Sequence, residues 1–133
     1  MIVDSSAIVE ILRRQTKGAE CLEIIEQTSN VSFSAASLLE SSIVLDNGDD
    51  AINSQDLDHF LSDYRIAIEP VTEAQARIAR LAYRQYGKGR DSLAKLNFGD
   101  CFAYALARDK NEPLLFVGDD FTHTDIRSAL DPG

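Results

Sequence analysis

Five acidic residues occupy positions from which they can act on a charged substrate. Asp4 follows the short apolar run Ile2-Val3. Glu40 closes the segment Ser34-Ala35-Ala36-Ser37-Leu38-Leu39-Glu40, which is otherwise small and apolar, and no lysine or arginine lies within ten residues of it. Asp100 sits in the first turn of a helix that Asn97 can cap, and Asp119 and Asp120 follow the apolar run Leu114-Leu115-Phe116-Val117. Each acid alone has an ordinary structural explanation. Asp4 can cap a helix, Asp100 can complement the positive end of its own, and Asp119 or Asp120 can serve a turn. Together they are harder to explain that way, because buried unpaired carboxylates repel one another and shift their pKa values. A cation resolves the repulsion. Carboxylates with retained water are the ligand set of Mg²⁺ or Mn²⁺, and such an ion can activate water and stabilise charge on a phosphodiester.

A basic stretch accompanies the acids. The net charge is −9, yet the stretch from Arg77 to Lys95 carries +5 by itself. Arg77, Arg80 and Arg84 recur at a spacing that puts them on one helix face, and Lys88, Arg90 and Lys95 continue toward Asp100. A solvated helix face explains this pattern, and so does a stripe that tracks phosphates. Tyr83 and Tyr86 can stack on bases or simply pack. The acidic whole argues against a general nucleic-acid binder, which is usually basic.

The elements that must position these residues follow from the apolar pattern. Ile2-Val3 reads as a buried strand, and Ser5 or Ser6 can cap a helix carrying Ile8, Val9, Ile11 and Leu12. Lys17 to Gln27 reads as a second helix with Ala19, Leu22 and Ile25 inward. Val31 to Ser34 alternates as a strand does, and a helix capped by Ser34 or Ser37 runs to about Leu45 with Leu38, Leu39, Ile43 and Val44 in the core. Further helices are expected from Asp56 to Tyr64, from Thr72 through Tyr86 and from Phe98 to about Lys110, with strands over Ile66–Val71 and Leu114–Val117. Strands separated by helical segments imply right-handed crossovers, an α/β class and a mainly parallel sheet. Ligands of such sheets bind beyond the carboxyl ends of the strands, where all of the acids fall.

The 133 residues form one expected domain, with a tail over about 126–133 and no repeat or linker. No apolar run approaches the roughly 18 residues of a membrane helix, and the first residues lack a basic leader region. Cys21 and Cys101 are far apart and read as reduced thiols of a cytoplasmic protein; His59 and His123 stand alone.

The motifs resemble those of PIN-domain nucleases. Met1-Ile2-Val3-Asp4-Ser5-Ser6-Ala7 is similar to the family's first strand, and the segment ending at Glu40 to its second acidic motif. The third corresponds to Tyr86-Gly87-Lys88-Gly89-Arg90 followed by Leu96-Asn97-Phe98-Gly99-Asp100-Cys101-Phe102-Ala103-Tyr104-Ala105-Leu106-Ala107. Leu114 to Phe121, with Thr124-Asp125, resembles the C-terminal signature. Taken together they resemble a VapC-type toxin of a bacterial toxin–antitoxin pair. The resemblance implies a three-layer α/β/α fold and a Mg²⁺- or Mn²⁺-dependent endoribonuclease. It implies Asp4, Glu40 and Asp100 as metal-binding acids, Asp119 or Asp120 as the fourth, and Ser6 as support for the first. In the mechanism this suggests, Asp4 and Asp100 hold the metal directly and Glu40 acts through water. The resemblance further implies a homodimer and a VapB-type antitoxin partner, and the choice of RNA over DNA rests on it alone. The alternative is a non-catalytic acidic-pocket α/β module for signalling or partner binding. A receiver-like domain would want a second acid beside Asp4, and a haloacid-dehalogenase-like phosphatase would want an acid where Ser6 stands.

Overall fold

Ile2 and Val3 form the strand on which the sheet is built. Residues 1–89 and 93–130 are described by the computed structural model. The chain order is β1 (Ile2–Val3), α1 (Ser5–Leu12), α2 (Gly18–Gln27), β2 (Ser32–Ser34), α3 (Ala35–Asp46), α4 (Ser54–Asp63), β3 (Ala67–Glu69), α5 (Glu73–Tyr86), α6 (Phe98–Lys110) and β4 (Leu114–Leu115). The strands run in the order β3-β2-β1-β4, and every pairing is parallel. Ile2 lies opposite Ser32 and Leu114, and Val3 opposite Phe33 and Leu115. The fold is the α/β architecture with a parallel sheet that the strand–helix alternation predicts.

Because successive strand residues face opposite ways, β1 and β4 each feed two cores. Val3 and Leu115 join Ile8, Cys21, Ile25, Phe33 and Leu57 on one face of the sheet. Ile2 and Leu114 join Leu96, Tyr104, Leu106 and Phe121 on the other, where α6 packs along α5. Helices thus cover both faces, as parallel sheets require.

Several expectations are corrected in detail. Of the caps the sequence offers for α1, Asp4 is the one used, and Ser5 and Ser6 lie inside the helix. The helix expected from Asp56 begins at Ser54, because Asn53 and Asp56 form a reciprocal capping box. In α2 the inward stripe is Gly18, Cys21 and Ile25, with Leu22 half-buried and Ala19 exposed. Gly18 permits this packing: a side chain there would press on the Glu10 carbonyl of α1 at 2.8 Å. In α3 the buried residues are Ser37, Ser41 and Leu45, while Leu39, Ile43 and Val44 are 62%, 52% and 43% exposed. Small serines let α3 lie close against its neighbours, and Ser41 satisfies its hydroxyl by donating to the Ser37 carbonyl at 2.7 Å. The strand expected over Leu114–Val117 keeps only two paired residues, since the Val117 amide donates to a side chain instead of a strand. The expected tail is partly sheet: Leu114 bridges Ser128, donates to the Arg127 carbonyl and accepts from Ala129.

Phe33 is fully buried at the centre of this arrangement. Phe33→Ala should destabilise the protein by about 3 kcal/mol or more, read as a lower urea midpoint at unchanged slope.

Candidate active site

Asp4 leaves β1 with its carboxylate turned back onto α1. Its Oδ2 accepts from the Ser6 amide at 3.1 Å and from the Ser6 hydroxyl at 2.6 Å. Ser6 Oγ accepts in turn from the Val117 amide at 3.0 Å, so one serine laces the end of β1 to the segment after β4. Asp4 is only 4% exposed. Burial raises its pKa from 3.8 to about 6 against the opposing Ser6 bonds, and the charge of Glu40 adds to the rise.

Asp100 reaches the same edge from α6. It forms a capping box with Asn97: the Asp100 amide donates to Asn97 Oδ1 at 2.8 Å, and the Asn97 amide donates to Asp100 Oδ2 at 3.0 Å. Burial is again the main cause that lifts its pKa to about 7, and the charges of Asp4, Asp120 and Glu40 contribute. Asp100 thus stands in the field of three other carboxylates.

Glu40 projects from α3 toward α6. Its Oε1 accepts from the Ser5 hydroxyl at 2.9 Å. Its carboxylate lies over Gly99, where any side chain would collide with it. Asp120 is exposed and acts on Asp100. Asp119, the other candidate for a fourth acid, instead lines a cavity of about 890 Å³ with Lys17, Thr122 and Arg127, and none of the other candidate acids borders it. The loop between them and the C-terminus is tied to α6: Tyr104 donates to Asp125 at 2.6 Å, and Arg108 pairs with Asp125 at 3.5 Å.

None of the ion pairs among the described residues involves Asp4, Glu40, Asp100, Asp119 or Asp120. Among those residues, no three histidine, cysteine, aspartate or glutamate side chains close into a ready-made metal cage. The donor set is nevertheless one for a hard cation: two buried carboxylates whose pKa values are raised by burial and by neighbouring acids, serine hydroxyls beside them and, among the described residues, no ion pair to neutralise them. An open set of this kind suits Mg²⁺, which keeps several waters.

The basic stripe divides along α5. Gln75 of α5 approaches Asp109 near the end of α6 at 3.3 Å, whereas Gly87 bridges Leu96, just before α6 begins. The two helices therefore run antiparallel. Arg84 and Lys88 lie toward the end that carries Asp100, and Arg77 lies toward the far end, paired with Glu73 at 2.8 Å. Arg80 lines an apolar groove with Tyr83, Phe98 and Phe102, and Tyr86 packs on Tyr104. Arg90 lies outside the described residues. Ser5 and Gly99 are the site residues that spacing did not single out, because their roles exist only across elements. Asn97 was legible as a cap, but its bond to the Asp100 carboxylate was not.

The family model for the PIN domain matches residues 1–127. The chain belongs to the PIN-domain family. Ribonuclease VapC28 of Mycobacterium tuberculosis is 48% identical over 131 residues, covering 98% of each chain. Ribonuclease VapC of Mycolicibacterium smegmatis is 44% identical over 130 residues, covering 97% of this chain and 99% of its own. These relatives put this PIN domain among the VapC ribonucleases. Its fold matches the crystal structure of VapC20 of M. tuberculosis, described as a sarcin-ricin loop cleaving toxin, with a TM-score of 0.69 at 15% identity over 94% of this chain and 95% of that one. It also matches a chain of a toxin–antitoxin complex from Klebsiella pneumoniae, with a TM-score of 0.70 at 14% identity over 98% of this chain and 97% of that one.

The raised pKa values of this PIN domain make its metal-free stability depend on pH. A carboxyl that binds its proton more tightly when folded contributes stability that is complete below the unfolded value. That contribution is lost as pH rises through the folded value. The window runs from 3.8 to about 6 for Asp4 and to about 7 for Asp100. The metal-free protein should therefore melt lower at about pH 8 than at about pH 5. Asp4→Asn should raise the pH 8 stability by about 3 kcal/mol, and by much less at pH 5, as thermal melts in EDTA would measure.

Proposed function

We propose that this PIN domain is a VapC-type toxin, an endoribonuclease that hydrolyses RNA phosphodiester bonds with a divalent cation and is held inactive by a cognate VapB-type antitoxin. The observation that carries this reading is the buried pair Asp4 and Asp100 at the carboxyl edge of the sheet, with no ion-pair partner among the described residues, the charge of Glu40 acting on both and those of Asp4 and Asp120 acting on Asp100. Such an arrangement destabilises the protein by itself, so a bound cation gives it a reason to exist.

Asp4 and Asp100, with Glu40 and Asp120 beside them, would hold Mg²⁺ or Mn²⁺. When bound, the ion offsets their repulsion and stabilises negative charge on the phosphate. The chain's own residues do the rest. Ser6 and Asn97 fix Asp4 and Asp100 through the hydrogen bonds described. Glu40 orients the attacking water. Water adds to phosphorus, the bond to the 3′ oxygen breaks, and the products carry a 5′-phosphate and a 3′-hydroxyl. Arg84 and Lys88, exposed at the same end of the α5–α6 pair, receive the flanking phosphates.

The antitoxin reading is supported by two neighbouring surfaces. The acids attract a basic peptide. Beside Glu40 lies an apolar groove of about 360 Å³ lined by Leu39, Ile43, Val44, Phe98 and Phe102. Phe98 is 78% exposed, and the structural neighbour from K. pneumoniae is itself a chain of a toxin–antitoxin complex. Exposed apolar area of this kind also suits a homodimer. A cytoplasmic location accords with an RNA target, and among the described residues no helix is long and apolar enough to cross a membrane.

Purified protein should cut RNA into discrete products with Mg²⁺ or Mn²⁺ and stop in EDTA. Asp100→Asn should lower the rate by about 10²-fold or more while melting at least as high as the parent. Metal-dependent cleavage retained in that variant would overturn the assignment.

A further inference from the structure

We propose that Ser5 is a positioning residue for Glu40, its hydroxyl fixing one carboxylate oxygen in the orientation that hydrolysis uses. The proposal rests on the hydrolytic reading of the site given above.

Glu40 reaches the site on a long side chain from α3, and none of the ion pairs among the described residues anchors it. A glutamate held by nothing samples several rotamers, and ordering it opposes that freedom. Two groups restrict it here. The Ser5 hydroxyl stands 2.9 Å from Oε1. The same hydroxyl is 3.4 Å from the Ser37 carbonyl. A hydroxyl has one proton to donate, and the shorter bond, to the Glu40 carboxylate, takes it. On the other side, Oε2 lies where a side chain at Gly99 would stand, so the bare Cα of α6 leaves the space that this orientation needs.

Position in the chain gives Ser5 a second property. It follows Asp4 directly and occupies the first residue of α1, which Asp4 caps. The turn that presents one acid therefore also presents the group that holds another. The two consecutive hydroxyls divide this work: Ser6 donates to Asp4 at 2.6 Å and Ser5 donates to Glu40. Their amides and hydroxyls are set by a single capped helix start, so Asp4 and Glu40 are kept in register across two elements.

The test is a double-mutant cycle of Ser5→Ala with Glu40→Gln, with Ser5→Thr as the conservative variant. It has two readouts: single-turnover RNA cleavage, and Mn²⁺ affinity measured by calorimetry with the metal alone. Ser5→Ala should lower kcat about tenfold, roughly the worth of one hydrogen bond to a charged group, with KM within about twofold. It should weaken Mn²⁺ binding several-fold, and Ser5→Thr should restore both. In the Glu40→Gln background, Ser5→Ala should change either quantity by less than about twofold. A Ser5→Ala protein with parental kcat and Mn²⁺ affinity would overturn the proposal. So would an equal loss in both backgrounds, or a Thr variant that melts like the parent and restores nothing. If the parent binds Mn²⁺ but cuts no RNA, the hydrolytic reading fails, while the Mn²⁺ cycle still decides whether Ser5 holds Glu40.

Discussion

Like charges confined to one dry edge of a sheet are the constraint on which the rest of this structure depends. Asp4 and Asp100 are buried, the proton affinity of each is raised by burial and by neighbouring acids, and among the described residues neither pairs with a lysine or arginine. Nothing in the hydrophobic cores requires them there. The fold tolerates the arrangement because each acid also performs a local structural task.

That task is helix capping. Asp4 caps α1, and Asp100 completes the capping box of α6. Both carboxylates therefore sit at the positive ends of helices, where backbone amides and the helix dipole favour negative charge. Caps reconcile what burial and repulsion oppose. They also fix geometry: a capping carboxylate cannot swing away without freeing its amides. In this sense the capping role of Asp4 and Asp100 and the metal-binding role proposed for them are compatible, since one geometry serves both.

The surfaces around the acids have distinct characters. Toward α5 the chain offers Arg84 and Lys88, two cations at the end of the helix pair that carries the site. Toward α3 it offers exposed leucine, isoleucine, valine and phenylalanine beside Glu40. A polyanion and a partly apolar peptide can therefore approach the same acids by different faces. Occupation of the acids by a basic peptide would then compete with substrate through shared electrostatics.

Much of this was legible in the chain itself. The alternation of short apolar runs with helical segments suffices for a parallel α/β sheet, and acids fall at strand ends because Asp4 directly follows one such run and Asp119 and Asp120 follow another after Gly118. Asn97 and Ser34 announced their helices as caps. The inward face of α3 was not legible, because its buried stripe is built from serines and its exposed stripe from aliphatics, the reverse of the usual amphipathic signal. The same holds for the Ser5–Glu40 bond, the room that Gly99 leaves, and the action of Asp120 on Asp100. Local pattern determines which residues cap, pair and alternate, because those interactions lie within a few residues. Which acids feel one another, and which side chain holds them, depends on how α1, α3 and α6 pack around one sheet edge, and only the tertiary structure decides that.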